Sequence, residues 1–165
     1  MADLDKQTLL EALKAHLQAE LERGRKRAKE AAAGATHEEN RAEGDKDMRA
    51  TEASYVARGQ AGRASEMEEA FLRVSALELL DFKPGARIAI SALIELRNDE
   101  KRLLYFLVPA AGGERISLAG VEVQTLTPQS PLGRALLGAS EGDEVELPAR
   151  QAREAARVYE IVKVR

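Results

Sequence analysis

The chain has 165 residues, of which 44% are hydrophobic, 32% charged and only 4% aromatic, and its net charge is −3. It contains no cysteine, which excludes disulfides, thiolate metal sites and thiol catalysis. So small a net charge does not by itself argue for bulk nucleic-acid binding. The start of the chain, with Asp3 and Asp5, lacks the basic and apolar regions of a signal peptide. No apolar run approaches the roughly 20 residues of a membrane span. These features predict a soluble, cytoplasmic protein with no membrane partner.

Leu4–Ala33 is built from Ala, Leu, Glu, Lys, Arg and Gln, all strong helix formers. Leu10, Leu13, Leu17 and Leu21 form one narrow apolar seam, continued by Ala28 and Ala31, as in one strand of a coiled coil. Gly24 falls on or near that seam and suggests close approach of a partner helix. Gly34–Asp47 holds Gly34, Thr36, Asn40 and Gly44 among several acids, and reads as an acidic loop. A second helical pattern runs from Asp47 to Leu80, with Ala57, Ala61, Ala64, Met67, Phe71, Val74 and Leu77 recurring every three or four residues. The two seams match when antiparallel, large residues at one end and alanines toward the loop. An intramolecular hairpin of this kind predicts a monomer; self-association through the coiled coil is the alternative.

All five prolines follow Leu80. Asp81–Gly85, with its Pro-Gly pair, reads as a linker, and β-type segments follow at Arg87–Leu96, Leu103–Val108 and Val121–Leu126. Ser130 and Pro131 open a short helix, as N-cap and first helical residue, and Gly138 stops it. Glu144–Leu147 and Arg157–Val164 supply two more strands. The expected fold class is α+β: a coiled-coil domain over 1–80 with its tip loop at 34–47, a linker over 81–85, and an antiparallel β domain with a short helix over 86–165.

Gln129-Ser130-Pro131-Leu132-Gly133-Arg134-Ala135-Leu136-Leu137-Gly138, then Gly142-Asp143-Glu144-Val145 and Tyr159-Glu160-Ile161, resembles the C-terminal domain of the Gre transcript cleavage factors. The two-helix segment before it resembles the Gre N-terminal domain in kind. The resemblance implies an FK506-binding-protein-like C-terminal domain that docks on RNA polymerase, through Ser130, Pro131, Leu132, Arg134 and neighbouring strands; the alternative is that Leu132, Leu136 and Leu137 fill the core of the small sheet. It implies a coiled coil that enters the polymerase's secondary channel. Acids at its tip would then help hold a Mg²⁺ ion, gripped mainly by the polymerase, and activate water to cut backtracked RNA. The chain would thus be a cofactor for the polymerase's own cleavage, not itself an enzyme, and would meet DNA only through the polymerase complex.

The family pattern at the tip is Gly-Asp-x-x-Glu-Asn. Gly44-Asp45 matches its first half, but Met48 stands at the Glu position. Aligning on Arg58 and Gln60 instead puts Asp47 on the Asp position and Ala50 on the Glu position. The candidate catalytic acids are therefore Asp45, Asp47 and Glu43, with Asp45 and Asp47 as the Mg²⁺ ligands and Glu38 and Glu39 as possible substitutes. Hard Mg²⁺ wants oxygen donors, and a metal already held by the polymerase needs only one or two more. The structural alternative is that these acids cap helix ends. Some Gre-like factors inhibit polymerase, so a channel-occupying competitor without cleavage activity is the alternative function. A prolyl isomerase, suggested by the fold relationship, is a further one, with only Phe82, Tyr105, Phe106 and Tyr159 as aromatics. Arg25, Lys26 and Lys29 lie in a basic run that could contact the phosphates of the nascent RNA 3′ end. The run also alternates with Glu20, Glu22 and Glu30, the pattern of a wet helix face.

Overall fold

The computed structural model describes residues 4–41, 48–99, 101–147 and 156–165. In chain order the elements are α1 (Lys6–Arg41), α2 (Met48–Ser75), β1 (Leu93–Asn98), β2 (Lys101–Leu107), β3 (Arg115–Leu118), β4 (Val121–Leu126), α3 (Pro131–Leu136), β5 (Glu144–Leu147) and β6 (Arg157–Val164). Two compact units are present: Met1–Leu13 together with Arg73–Arg165, and Lys14–Leu72. Among the described residues no helix is long and apolar enough to cross a membrane.

Within Lys14–Leu72, α1 and α2 meet. A Cβ placed on Gly24 would lie 3.0 Å from Met67 Sδ, and Arg25 is bridged to Glu68 at 2.7 Å. Gly24 lies 17 residues before Arg41 and Met67 lies 19 residues after Met48, so the contact is nearly equidistant from the connection. Only an antiparallel pair allows this, because six connecting residues reach at most about 20 Å. Leu17, Leu21 and Ala35 are buried along α1, and Ala57, Ala64 and Met67 are half-buried along α2. Gln60 takes the half-buried position between Ala57 and Ala64, while Ala61 is exposed.

The boundaries of both helices correct the sequence reading. The expected loop over 34–47 is helical as far as Arg41. Ala32, Ala33 and Ala35 sustain the helix through Gly34, and Thr36 turns its hydroxyl back onto the Ala32 carbonyl at 3.0 Å instead of capping a new element. At the other end α2 stops at Ser75 and not at Leu80. Residues 76–80 are good helix formers, but the Leu77 N–H closes a tighter turn onto the Val74 carbonyl at 3.1 Å and the backbone of Leu80 is taken by tertiary partners. Ser91 Oγ accepts the Leu80 N–H at 2.8 Å, and the Lys6 ammonium donates to the Leu80 carbonyl. Lys6 also lies 4.8 Å from the centre of the Phe82 ring, and burial lowers its pKa, with Asp81 opposing the shift.

The sheet in the other unit has strand order β3-β4-β2-β1-β6-β5. It departs from the wholly antiparallel expectation at one place: β2 and β4 run parallel, Tyr105 opposite Gln124 and Leu107 opposite Leu126. The chain leaves β2, crosses to the outer edge as β3, and returns as β4 through a two-residue hairpin at Ala119-Gly120. Both of those residues have positive φ, 51° and 77°, which matches the right-handed twist of the flanking strands. The expected strand over Arg87–Leu96 is also shortened. Ile88 pairs with Ala139 and Gly138 outside the ladder, Ser91 turns the chain with φ of 78°, and β1 begins only at Leu93.

The two sheet faces carry different neighbours. On one face Ile94, Leu96, Leu107, Leu126, Tyr159 and Ile161 form a core cluster with Leu132 and Leu136 of α3. On the other, Leu93 pairs with Phe106 and Glu95 with Leu104. Leu93 and Phe106 are buried, as are Leu9, Leu10, Leu13 and Val74 of the same unit. Glu95 is only 4% exposed and is held by Arg102 at 2.8 Å, which compensates part of the cost of burying its charge.

Candidate docking site and tip

The segment from Thr127 to Asp143 is organised by its own turn chemistry. Ser130 Oγ accepts the Gly133 N–H at 3.0 Å and donates to the Thr127 carbonyl at 2.8 Å, so one hydroxyl both caps α3 and closes the preceding turn. Pro131 occupies the first turn, where its missing N–H costs nothing. Gly133 is buried against this turn, and a Cβ there would stand 2.0 Å from the Thr127 carbonyl oxygen. Gly138 ends the helix with φ of 83° and donates to the Ile88 carbonyl at 2.9 Å. Beyond it, Asp143 accepts the Ser140 N–H at 2.8 Å, and Glu141 accepts the Val164 N–H at 2.7 Å. Most of the motif's polar and glycine residues therefore shape backbone.

This fixes what the four docking candidates can offer a partner. Pro131 and Arg134 are exposed, Ser130 is half-buried and committed to capping, and Leu132 is 8% exposed within the core. The expectation that Leu132 presents a surface is corrected: it faces the sheet beside Leu136, because a helix of this length on a small sheet must bury one side. Leu137 is instead 47% exposed. The sequence reading grouped it with possible core residues, since its position immediately before the stopping glycine does not reveal which way the last turn points.

Of the basic run, Arg25 is engaged by Glu68 of α2, Lys26 lies 4.0 Å from Glu30, and Lys29 is exposed. Arg23 is bonded to Glu20 one turn away, and that hydrogen bond lowers the Glu20 pKa. The wet-face pattern of alternating signs thus describes most of the run. Glu43, Asp45 and Asp47 lie outside the described residues, as do the side chains of Glu38 and Glu39. Among the described residues no group of three or more acids or histidines is placed to hold a metal. The outer face of α2 just beyond exposes Met48 at 83%, Tyr55 at 68% and Val56 at 55%. The aromatics of the isomerase alternative are largely used in packing: Phe106 and Tyr159 are buried, and burial pushes the half-exposed Tyr105 hydroxyl above its ordinary pKa, with Tyr159 adding to the shift.

Residues 83–165 match the family described as transcription elongation factor, GreA/GreB, C-terminal. Transcription elongation factor GreA of Bartonella tribocorum is 31% identical over 105 residues, covering 62% of this chain and 60% of that protein. The aligned region thus spans about three-fifths of that relative's length. Among solved structures, the GreA factor homolog 1 of Thermus thermophilus is similar at 22% identity over 92% of this chain and 94% of that one, with a TM-score of 0.36. A GreA/GreB elongation factor from Nitrosomonas europaea is similar at 20% identity over 59% of this chain and 78% of that one, also with a TM-score of 0.36.

Proposed function

This chain belongs to the GreA/GreB family of transcription elongation factors, and on that premise we propose that it binds RNA polymerase and acts on the polymerase's own RNA cleavage. The observation that carries this reading is the coincidence of the family match over residues 83–165 with the α3 turn. There the motif residues build a rigid platform whose outer side offers Pro131, Arg134 and Leu137. Arginine is enriched among the few residues that carry most of an interface's binding energy, and the exposed Leu137 offers apolar surface for a partner to cover.

In this reading the connection between α1 and α2 reaches the polymerase's active centre. Asp45 and Asp47, with Glu43, contribute carboxylate oxygens, the donor chemistry that suits Mg²⁺. A Mg²⁺ ion held mainly by the polymerase would there polarise a water for attack on the RNA phosphodiester. The role of this chain's acids is to complete coordination and orient that water, while Lys29, exposed on α1, offers an ammonium to the phosphates of the RNA 3′ end. A second reading rests on one feature: Met48 occupies the position where the family pattern has its second carboxylate, and its side chain is 83% exposed. A factor lacking that acid would occupy the channel and compete with cleavage factors.

The docking part is tested by equilibrium binding to core RNA polymerase. Arg134→Glu and Leu137→Asp should each weaken binding by at least about tenfold, the loss expected of a hot-spot residue, with the thermal melt unchanged. Wild-type affinity in both variants would refute the α3 platform as the docking surface.

A further inference from the structure

We infer that Lys6 is a site of acylation, with an acyl phosphate seated in the hollow beside it as the donor. The hollow has a volume of about 520 Å³ and is lined by Lys6, Phe82, Pro84 and residues 162–165, among others. All of these belong to one compact unit, Met1–Leu13 with Arg73–Arg165. The Lys6 ammonium donates to the Leu80 carbonyl and, at 3.3 Å, to the Ser91 carbonyl, and it lies 4.8 Å from the centre of the Phe82 ring. Two N–H groups serve the two carbonyls, so the neutral amine keeps both bonds and has its lone pair left for an electrophile. Burial lowers the Lys6 pKa, with Asp81 opposing the shift. The fraction of neutral amine rises accordingly, and a desolvated lysine of this kind reacts as a nucleophile.

The walls of the hollow select the donor. Lys163 is exposed and Arg165 half-buried, so two cations besides Lys6 line it, against two carboxylates, Asp81 and Glu141. Glu141 is already turned to the Val164 N–H, which it accepts at 2.7 Å. That balance favours a small anion, and Phe82, Pro84 and Val162 give apolar surface for a short acyl chain. An acyl phosphate joins those two parts at one carbonyl carbon. The amine nitrogen attacks that carbon and a C–N bond forms. The bond from the carbon to the bridging oxygen breaks, and inorganic phosphate leaves with the electron pair. The proton shed by nitrogen passes to phosphate or water. The product amide is uncharged and has a single N–H, so the cation–π contact with Phe82 is lost and at most one of the two carbonyls keeps its bond. Acylation thereby loosens Leu80, whose N–H is held by Ser91 Oγ at 2.8 Å.

The test treats the full chain with acetyl phosphate and follows each lysine by peptide mass mapping. The exposed Lys26, Lys29 and Lys83 serve as internal references. Lys6 is expected to be acetylated ahead of all three, and Lys6 trailing them would overturn the inference. Lys163→Gln should slow acetylation of Lys6 by acetyl phosphate about fivefold, the effect of one unit charge near contact in water. It should leave the reaction with the neutral donor N-acetoxysuccinimide unchanged. An equal loss with both donors, or none with either, would overturn the acyl phosphate as the donor that the hollow selects. The consequence is read by amide hydrogen exchange at Leu80. Exchange there should rise in the Lys6-acetylated protein and in Lys6→Gln, and change less in Lys6→Arg, which keeps the charge. Unchanged exchange at Leu80 in the acetylated protein would show that acylation loosens nothing. No polymerase enters these assays, so either result leaves the function proposed above where it stands.

Discussion

Gly133→Ala is the substitution for which the structure gives the sharpest expectation. The added methyl would lie 2.0 Å from the Thr127 carbonyl oxygen and 2.8 Å from both its carbon and Ser130 Oγ. No side-chain rotation relieves a contact with backbone, so the Thr127–Gly133 turn must open. That carbonyl accepts both the Ser130 N–H at 3.0 Å and the Ser130 hydroxyl at 2.8 Å, and the same hydroxyl caps Gly133. Overpacking costs about 1–3 kcal/mol and a lost N-cap about 1 kcal/mol more. The roughly 1 kcal/mol that alanine gains over glycine in a helix offsets part of this. A net loss of about 1–3 kcal/mol follows, or roughly 5–20 °C in Tm for a unit of this size. Circular-dichroism melts and urea titrations would measure it, with Ser130→Ala, expected to lose only about 1 kcal/mol, as the reference. If Gly133→Ala melts within about 0.5 kcal/mol of wild type, the turn is not the rigid platform described, and the docking surface built on it loses its basis.

The two adjacent leucines of α3 should separate core from surface. Leu136, fully buried, should cost about 2–5 kcal/mol when changed to Ala, whereas Leu137→Ala should stay within about 0.5 kcal/mol in the same urea titration. The Arg25–Glu68 bridge is half-exposed at both ends, so a double-mutant cycle should give a coupling of about 0.2–1 kcal/mol that fades in 1 M salt; a larger, salt-insensitive value would contradict a solvated pair. At the start of α1, the Thr8 hydroxyl and backbone N–H both donate to the Asp5 carboxylate and lower its pKa below 3.8. Its contribution is therefore present above that value and is lost as pH falls through the lower folded-state pKa. Asp5→Asn should flatten this part of the acid dependence of the urea midpoint, and an unchanged dependence would show that the cap does not titrate as described.

The features that the sequence made legible are those with local causes. Ser130, Pro131 and Gly138 place α3 because capping, a preset φ and a left-handed stop act within single turns. The leucine seam of α1 is legible because its period repeats. The failures are equally physical. Past the α2 end at Ser75, Leu80 is held by Lys6 and Ser91, 74 and 11 residues away in sequence, and no local signal announces them. β3 was missed because its hairpin uses Ala119-Gly120 at positive φ in place of the Asn-Gly that usually marks such a turn. Gly34 and Thr36 suggested a break, but a single glycine among alanines and a threonine bonded to its own helix do not make one. On the candidate site, the motif located the platform but could not tell buried Leu132 from exposed Leu137, because one residue of helical rotation decides between them.

The central claim, that the acids between α1 and α2 serve cleavage by RNA polymerase, is tested most directly with a backtracked, halted elongation complex in Mg²⁺. Cleavage of the radiolabelled transcript is followed with wild-type protein and with the Asp45→Ala/Asp47→Ala double variant. The account predicts that wild type accelerates cleavage and that the variant, still bound to polymerase, does not. Equal acceleration by both proteins would contradict the role given to those acids.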